Sequence, residues 1–187
     1  MTITPSSPAD RYRHLSGRFS SLIDSVPADR WASASPCEGW TAADVADHVV
    51  TTEAELLGRM PFAPSRPIDV TEPLAAWPTV RAAMQSALDV PEHADHTYDG
   101  YFGRTTFAAT VDLFYNFDLV AHTWDLARAA GLAQFEAIDP DEAGRIERDL
   151  APLGDKIRMQ GILGQALQVA DDADPSTRFL AFLGRRA

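Results

Sequence analysis

The sequence predicts an all-α fold: a four-helix bundle with a long connection between helices 2 and 3 and short extra helices toward the C-terminal end. Three observations carry that prediction. Apolar residues recur at three- and four-residue spacing in four long stretches. Capping residues, prolines and glycines cluster at the edges of those stretches. At 187 residues the chain suits one domain, 1–187, with a core large enough to form without staples.

The elements follow in order. Residues 1–8 hold Ser, Thr and two prolines and read as a frayed lead. A first helix is predicted over about 9–25, where Leu15, Phe19, Leu22 and Ile23 recur at helical spacing. Val26-Pro27 ends it, because a residue before proline is pushed out of the helical region. Residues 33–40 form a loop. Thr41 then opens a second helix, with Asp44 three residues on in the pattern of a capping box. Val45, His48, Val49, Thr52 and Leu56 share its inner face, Asp47 points outward, and Gly58 lies near its end.

Residues 59–70 hold three prolines and make the long connection. The third helix is predicted over about 72–88, weakened around Pro78. The polar stretch 92–106, with Gly100 and Gly103, forms a short hairpin or a loop. The fourth helix runs over about 107–130 and stops at Gly131. Asp139-Pro140 reads as an N-cap and first-turn proline for a short helix to about Leu150. Asp174-Pro175 opens a last helix to about Leu183 by the same logic. Residues 154–173, interrupted by Gly154, Gly161 and Gly164, show no clear period.

Composition narrows the function classes. Hydrophobic content of 45% and charged content of 23% suit a soluble globular protein. No apolar run approaches the roughly 20 residues a membrane span needs. The start Met1-Thr2-Ile3-Thr4-Pro5 lacks the basic flank and apolar core of a signal peptide, so a cytoplasmic location is expected. A net charge of -11 argues against nucleic acid, whose phosphates need a basic face. Cys37 is the only cysteine, which excludes an internal disulfide and a cysteine-rich zinc site. Lys156 is the only lysine, and nothing around it supports a Schiff base. No nucleophile elbow, P-loop or dinucleotide fingerprint is present.

The chemistry concentrates in His48, Asp118 and His122. Asp118 and His122 stand four apart, about one helical turn, so their side chains lie on one face. His48 falls on the apolar stripe of the second helix. If the two helices face each other, two imidazoles and a carboxylate converge. Three such ligands with a fourth position open is how a catalytic divalent metal is usually held. The bland alternative is a structural Asp118–His122 hydrogen bond inside a helix apolar on most sides.

Asp44, four residues before His48, is a rival carboxylate, but it has its own task in the first helical turn. Asp125, three residues after His122, is either an outer acceptor that orients the imidazole or a surface partner of Arg128. His93 and His96 read as solvated loop histidines, and His14 as incidental. Cys37 reads as packed and inert, and Glu142, Glu147 and Asp149 as a solvated face. Trp40, Trp124 and Phe102 are candidates for lining a pocket.

These residues carry a family resemblance. Ser35-Pro36-Cys37-Glu38-Gly39-Trp40-Thr41 followed by Asp47-His48-Val49, and Asp118-Leu119-Val120-Ala121-His122-Thr123-Trp124-Asp125-Leu126-Ala127-Arg128, resemble the second- and fourth-helix motifs of the DinB-like superfamily. The branch they resemble is the one named for mycothiol-dependent maleylpyruvate isomerase. Arg178-Phe179-Leu180-Ala181-Phe182-Leu183-Gly184-Arg185 resembles the close of an uncharacterised actinobacterial-type metal-binding subfamily. The resemblance implies a DinB-like four-helix bundle holding one divalent transition metal, zinc first and nickel second. His48 and His122 match the histidine ligands. Asp118 stands where the isomerase branch has Glu, one methylene shorter in reach.

Relatives use such a metal to activate a low-molecular-weight thiol such as mycothiol, as transferases or isomerases. The isomerase's separate C-terminal domain has no counterpart in the resemblance, so maleylpyruvate isomerisation itself is not implied. The expectation is a metal-dependent thiol S-transferase or isomerase acting on a small-molecule substrate. A metal-dependent hydrolase and a non-enzymatic ligand-binding module are the rivals. A homodimer through an exposed helix face is also expected, though the sequence singles out no face.

Overall fold

Four long helical elements form the body; the first, second and fourth begin at a capping hydroxyl and the third begins at a first-turn proline. The structure, a computed structural model, describes residues 7–159, 163–170 and 172–186. Helix α1 spans Pro8–Ile23, capped by the Ser7 hydroxyl, which accepts from the Asp10 amide. Of the frayed lead predicted over 1–8, Ser7 and Pro8 instead cap and open α1, and residues 1–6 lie outside the described residues. Helix α2 spans Ala42–Gly58 and opens with the full Thr41/Asp44 capping box. Helix α3 spans Pro73–Asp89 and continues through Pro78. The single turn α4, Pro91–Ala94, leads into strands β1, Thr97–Gly100, and β2, Gly103–Thr106. These pair antiparallel, Thr97 opposite Thr106 and Gly100 opposite Gly103, so the polar stretch is a hairpin.

The fourth long element is continuous but not uniform. The turn α5, Phe107–Thr110, passes into a π-helical segment, Val111–Tyr115, and then into α6, Asn116–Ala130. The Asn116 amide reaches back five residues to the Val111 carbonyl. Such widened turns inside helices recur at functional sites. Gly131 stops α6 with φ 73°, the left-handed conformation that glycine adopts without a Cβ penalty. Short helices α7, Pro140–Leu150, α8, Lys156–Met159, and α9, Pro175–Phe182, follow. Asp139 and Asp174 cap α7 and α9 as their sequences predict.

In the bundle α6 packs on α1 and α2, and α3 packs on the same two helices from the other side. Tyr12, Phe19, Val45, Val49, Met84 and Leu119 fill the centre, all fully or nearly fully buried. Every residue of α6 except Asp118 and Arg128 is buried. That confirms α6 as the central helix and leaves Asp118 open to a cleft. Among the described residues no helix is long and apolar enough to cross a membrane.

The C-terminal segment returns to this body through glycine. The Leu167 amide bonds to the Ala181 carbonyl and the Arg185 amide to the Leu180 carbonyl. A Cβ on Gly184, φ 82°, would come within 2.8 Å of the Gln165 carbonyl and 3.0 Å of Gly164. Gly164, one of the glycines that interrupt 154–173, thus serves close backbone contact with Leu183 and Gly184. Gly161 lies outside the described residues.

Candidate functional site

Two helices and one loop build the site. The loop before α2 is shaped by a bridge between Ala34 and Thr41, by the Ser35 amide donating to the Trp40 carbonyl, and by Gly39 at φ 79°. The Ser35 hydroxyl accepts from the Cys37 amide at 3.1 Å. These bonds deliver Trp40 and Cys37 beside α2 and α6. The Trp40 indole lies against both imidazoles, 5.0 Å from His48 and 6.0 Å from His122 between ring centres.

His48 from α2 meets Asp118 and His122 from α6. Its Nε2 lies 3.1 Å from Asp118 Oδ2, and His122 Nε2 lies 3.6 Å from Asp118 Oδ1. The two imidazoles stand edge to face at 5.0 Å. One donor atom from each of the three residues falls within 4.8 Å of the others. His122 is buried, while His48 and Asp118 keep 32% and 22% of their side chains exposed, so the group opens on one side.

Electrostatics tighten this group. Burial pushes the Asp118 carboxyl up, but the charge of His122 and the hydrogen bond from His48 outweigh it and hold the carboxyl below its ordinary range. Burial likewise works against charge on His48, and the bond and charge of Asp118 reverse the balance and raise its pKa. The rival Asp44 is exposed and occupied by Thr41, whose amide and hydroxyl both bond to it.

Behind His122 stands a layer that the sequence only half revealed. Asp125, fully buried, faces His122 Nδ1 at 2.9 Å. That resolves the choice for Asp125, since Arg128 pairs with Glu136 and lies over the Trp124 ring instead. Arg185 grips Asp125 with two bonds of 2.7 Å. Burial raises the Asp125 carboxyl, yet the bonds from His122 and Arg185 bring it down to about 2. The Asp125 carboxylate at Nδ1 orients the His122 ring so that Nε2 faces Asp118.

Cys37 donates to Asp125 Oδ2 at 3.3 Å. Burial and the Asp125 charge push its thiol up to about 12, in keeping with an inert cysteine. Cys37, His122 and Asp125 form a second close donor group, but the Arg185 cation already occupies its carboxylate.

Sequence reasoning missed other neighbours. The fully buried Glu53 accepts the Tyr12 hydroxyl at 2.6 Å, and burial raises its carboxyl to about 8. Nothing in sequence spacing links residues 12 and 53. Arg185, sixty residues from Asp125, was visible only as part of the C-terminal motif. His93 and His96 are half-buried and pack on Phe62, at 4.2 and 5.8 Å, so they are only partly solvated. Glu142, expected on a solvated face, is half-buried and paired with Arg145 at 2.6 Å. Trp40 and Phe102 line the cleft as expected, whereas Trp124 is buried away from it.

The donor set suits a divalent transition metal: two imidazole nitrogens and one carboxylate oxygen converge, with an outer carboxylate orienting one ring.

Comparison with known proteins adds three findings. The family model described as the mycothiol maleylpyruvate isomerase N-terminal domain matches residues 12–127, more than half of the chain. Two uncharacterised proteins of Mycobacterium tuberculosis, one from strain CDC 1551 and one from strain H37Rv, are each 28% identical over 181 residues. Each alignment covers 95% of this chain and 97% of the relative. No solved structure gives a significant match.

Proposed function

The chain belongs to the mycothiol maleylpyruvate isomerase N-terminal domain family, and from that premise we propose that it is a cytoplasmic metal-dependent enzyme that transfers a low-molecular-weight thiol such as mycothiol to a small electrophile. The observation that supports this reading is the meeting of three donor atoms within 4.8 Å at the wall of a cleft. His48, Asp118 and His122 would hold the ion, with zinc favoured by the mixed nitrogen and oxygen set. When bound there, such an ion supplies Lewis acidity and lowers the pKa of a thiol so that the sulfur is nucleophilic at neutral pH.

The protein's own residues do the rest. Asp125 and Arg185 keep the His122 ring oriented, with Nδ1 engaged and Nε2 directed at the ion's position. Trp40 covers the two imidazoles and limits water on that side. The open cleft receives the thiol and the electrophile; the S–H bond breaks, the carbon–sulfur bond forms as the carbon's bond to its leaving group breaks, and the leaving group departs with its electron pair while the thiol proton passes to it or to solvent.

Incubating the zinc-loaded protein with mycothiol and a panel of electrophiles, beside a panel of esters and amides, tests the reading. Thiol consumption with adduct formation, abolished in His48→Ala, is the expected result. Ester or amide cleavage without thiol consumption would replace transfer by hydrolysis. Ligand binding with no turnover of either kind would make the protein a binding module.

A further inference from the structure

The donor group opens into a cleft of about 1540 Å³. Small-molecule pockets usually span about 300–1,000 Å³, so this cleft extends beyond the space one small ligand needs. Its walls change character along its length. Near His122 it is lined by Cys37, Glu38, Gln165 and Arg185, which are polar. The other arm runs under the β1–β2 hairpin. There Phe102 stacks on Phe114 at 5.5 Å and 16°, and Tyr101 meets Phe102 at 5.0 Å while remaining 72% exposed. The Tyr98 hydroxyl is pinned to Thr110 at 2.7 Å. Thr110 lies two turns before Asp118, about 12 Å along the helix, so the hairpin end of this arm is set apart from the donor group.

The same arm carries cations. Arg104 on β2 lines it and donates to the neutral Thr97 hydroxyl at 3.0 Å; no carboxylate lies within ion-pair distance of it among the described residues. Arg59 lines it too, and its Glu55 partner at 3.2 Å is a mostly exposed pair of little strength. The Tyr115 hydroxyl, also in the wall, has no hydrogen-bond partner among the described residues. Asp99, directly opposite Arg104 across the hairpin, also lines the cleft but lies beyond ion-pair distance of it, so Arg104 keeps donors for a ligand. Aromatic faces, a vacant phenol donor and a guanidinium that no carboxylate neutralises at close range among the described residues together match a ring that bears an anionic group.

We propose that the hairpin arm binds an aromatic carboxylate as the electrophile-bearing substrate, its ring against Phe102 and Tyr98 and its carboxylate toward Arg104 and Arg59. This rests on the thiol-transfer reading for the chemistry at the other end, but the binding itself needs no metal. A small aliphatic diacid fits poorly, because it would leave the aromatic walls wet.

Calorimetric titration of the full chain with 2-naphthoate, 2-naphthamide and maleate tests the proposal. Both metal-loaded and chelator-treated protein are titrated. The expected result is 2-naphthoate binding about tenfold tighter than either maleate or the neutral amide, in both preparations. Phe102→Ala and Arg104→Gln, at hairpin positions outside the core, should each weaken it about fivefold, with unchanged circular dichroism. Maleate binding as tightly as 2-naphthoate would overturn the proposal, as would undiminished 2-naphthoate binding in both variants. Metal content, read separately by elemental analysis, reports on the thiol-transfer reading, so the failure of one is distinguishable from the failure of the other.

Discussion

Asp112 and Asp118 lie six residues apart on one continuous helical element and have opposite surroundings. Asp112 is enclosed by cations: Arg11 bonds to both its oxygens, Asn116 donates at 3.1 Å, and Arg145 stands at 3.7 Å. Asp118 is faced by two imidazoles, groups that can be neutral and can coordinate. The first cluster is electrically saturated and ties α6's entry to α1 and α7. The second keeps donor lone pairs pointed at one another across 4.8 Å or less. Charge burial alone therefore does not mark a functional site. What marks it is the kind of partner: guanidinium groups consume a carboxylate, whereas imidazoles leave it available to a metal. Asp125, about two turns beyond Asp118, combines the two, since Arg185 saturates it while it steers His122.

The largest effect should come from the aspartate that combines both roles. Arg185→Ala strands a fully buried carboxylate and should lower unfolding stability by about 4 kcal/mol in urea titration. It should also weaken metal affinity by about 10- to 100-fold, through loss of His122 orientation. An unchanged affinity would show that the outer layer does not tune the ligand. Next, Asp112→Ala should cost about 3 kcal/mol, because Arg11 and Arg145 lose their common partner. Asp118→Ala should cost about 1 kcal/mol or less, because the imidazoles it leaves behind can be neutral. Equal losses at the two positions would erase the contrast.

Acid titration separates them further. Burial raises the Asp112 carboxyl, but the bonds from Arg11 and Asn116 outweigh it and depress it below its ordinary value. A depressed folded pKa contributes stability that is present above the unfolded value, near 3.9, and is lost as pH falls through the folded one. The protein should lose stability in that window with a slope of up to about 1.4 kcal/mol per pH unit from this group, and Asp112→Asn should remove that component. The smallest effect belongs to Cys37→Ser, which keeps a donor for Asp125. It should shift stability by less than about 1 kcal/mol and leave metal affinity intact; a loss of metal there would make the thiol a ligand.

Much of the fold and the Asp118 half of this contrast were legible in the sequence, because their carriers are local; Asp112 and its guanidinium partners, drawn from three helical segments, were not. Thr41 with Asp44, Asp139-Pro140, Asp174-Pro175 and Gly131 fix helix ends through contacts within four residues. The Asp118-x-x-x-His122 spacing sets one face of one helix. What escaped is non-local or departs from the regular period. The π-segment 111–115 has no signature in apolar spacing, since it widens a turn without breaking the stripe. The hairpin 97–106 is polar, so its pairing depends on Tyr98 and Phe102 packing against α5 and the π-segment. Arg185 reaches Asp125 across sixty residues and Tyr12 reaches Glu53 across forty-one, and no spacing rule spans such gaps.

Elemental analysis of the protein purified without chelator or affinity tag, beside His48→Ala and His122→Ala, tests the central claim most directly. The account predicts about one equivalent of a transition metal in the parent protein, lost from both variants while their folds persist. Full metal content in both variants, or none in the parent after addition of zinc or nickel, would contradict it and leave Asp118 and its histidines as a structural hydrogen-bonded cluster.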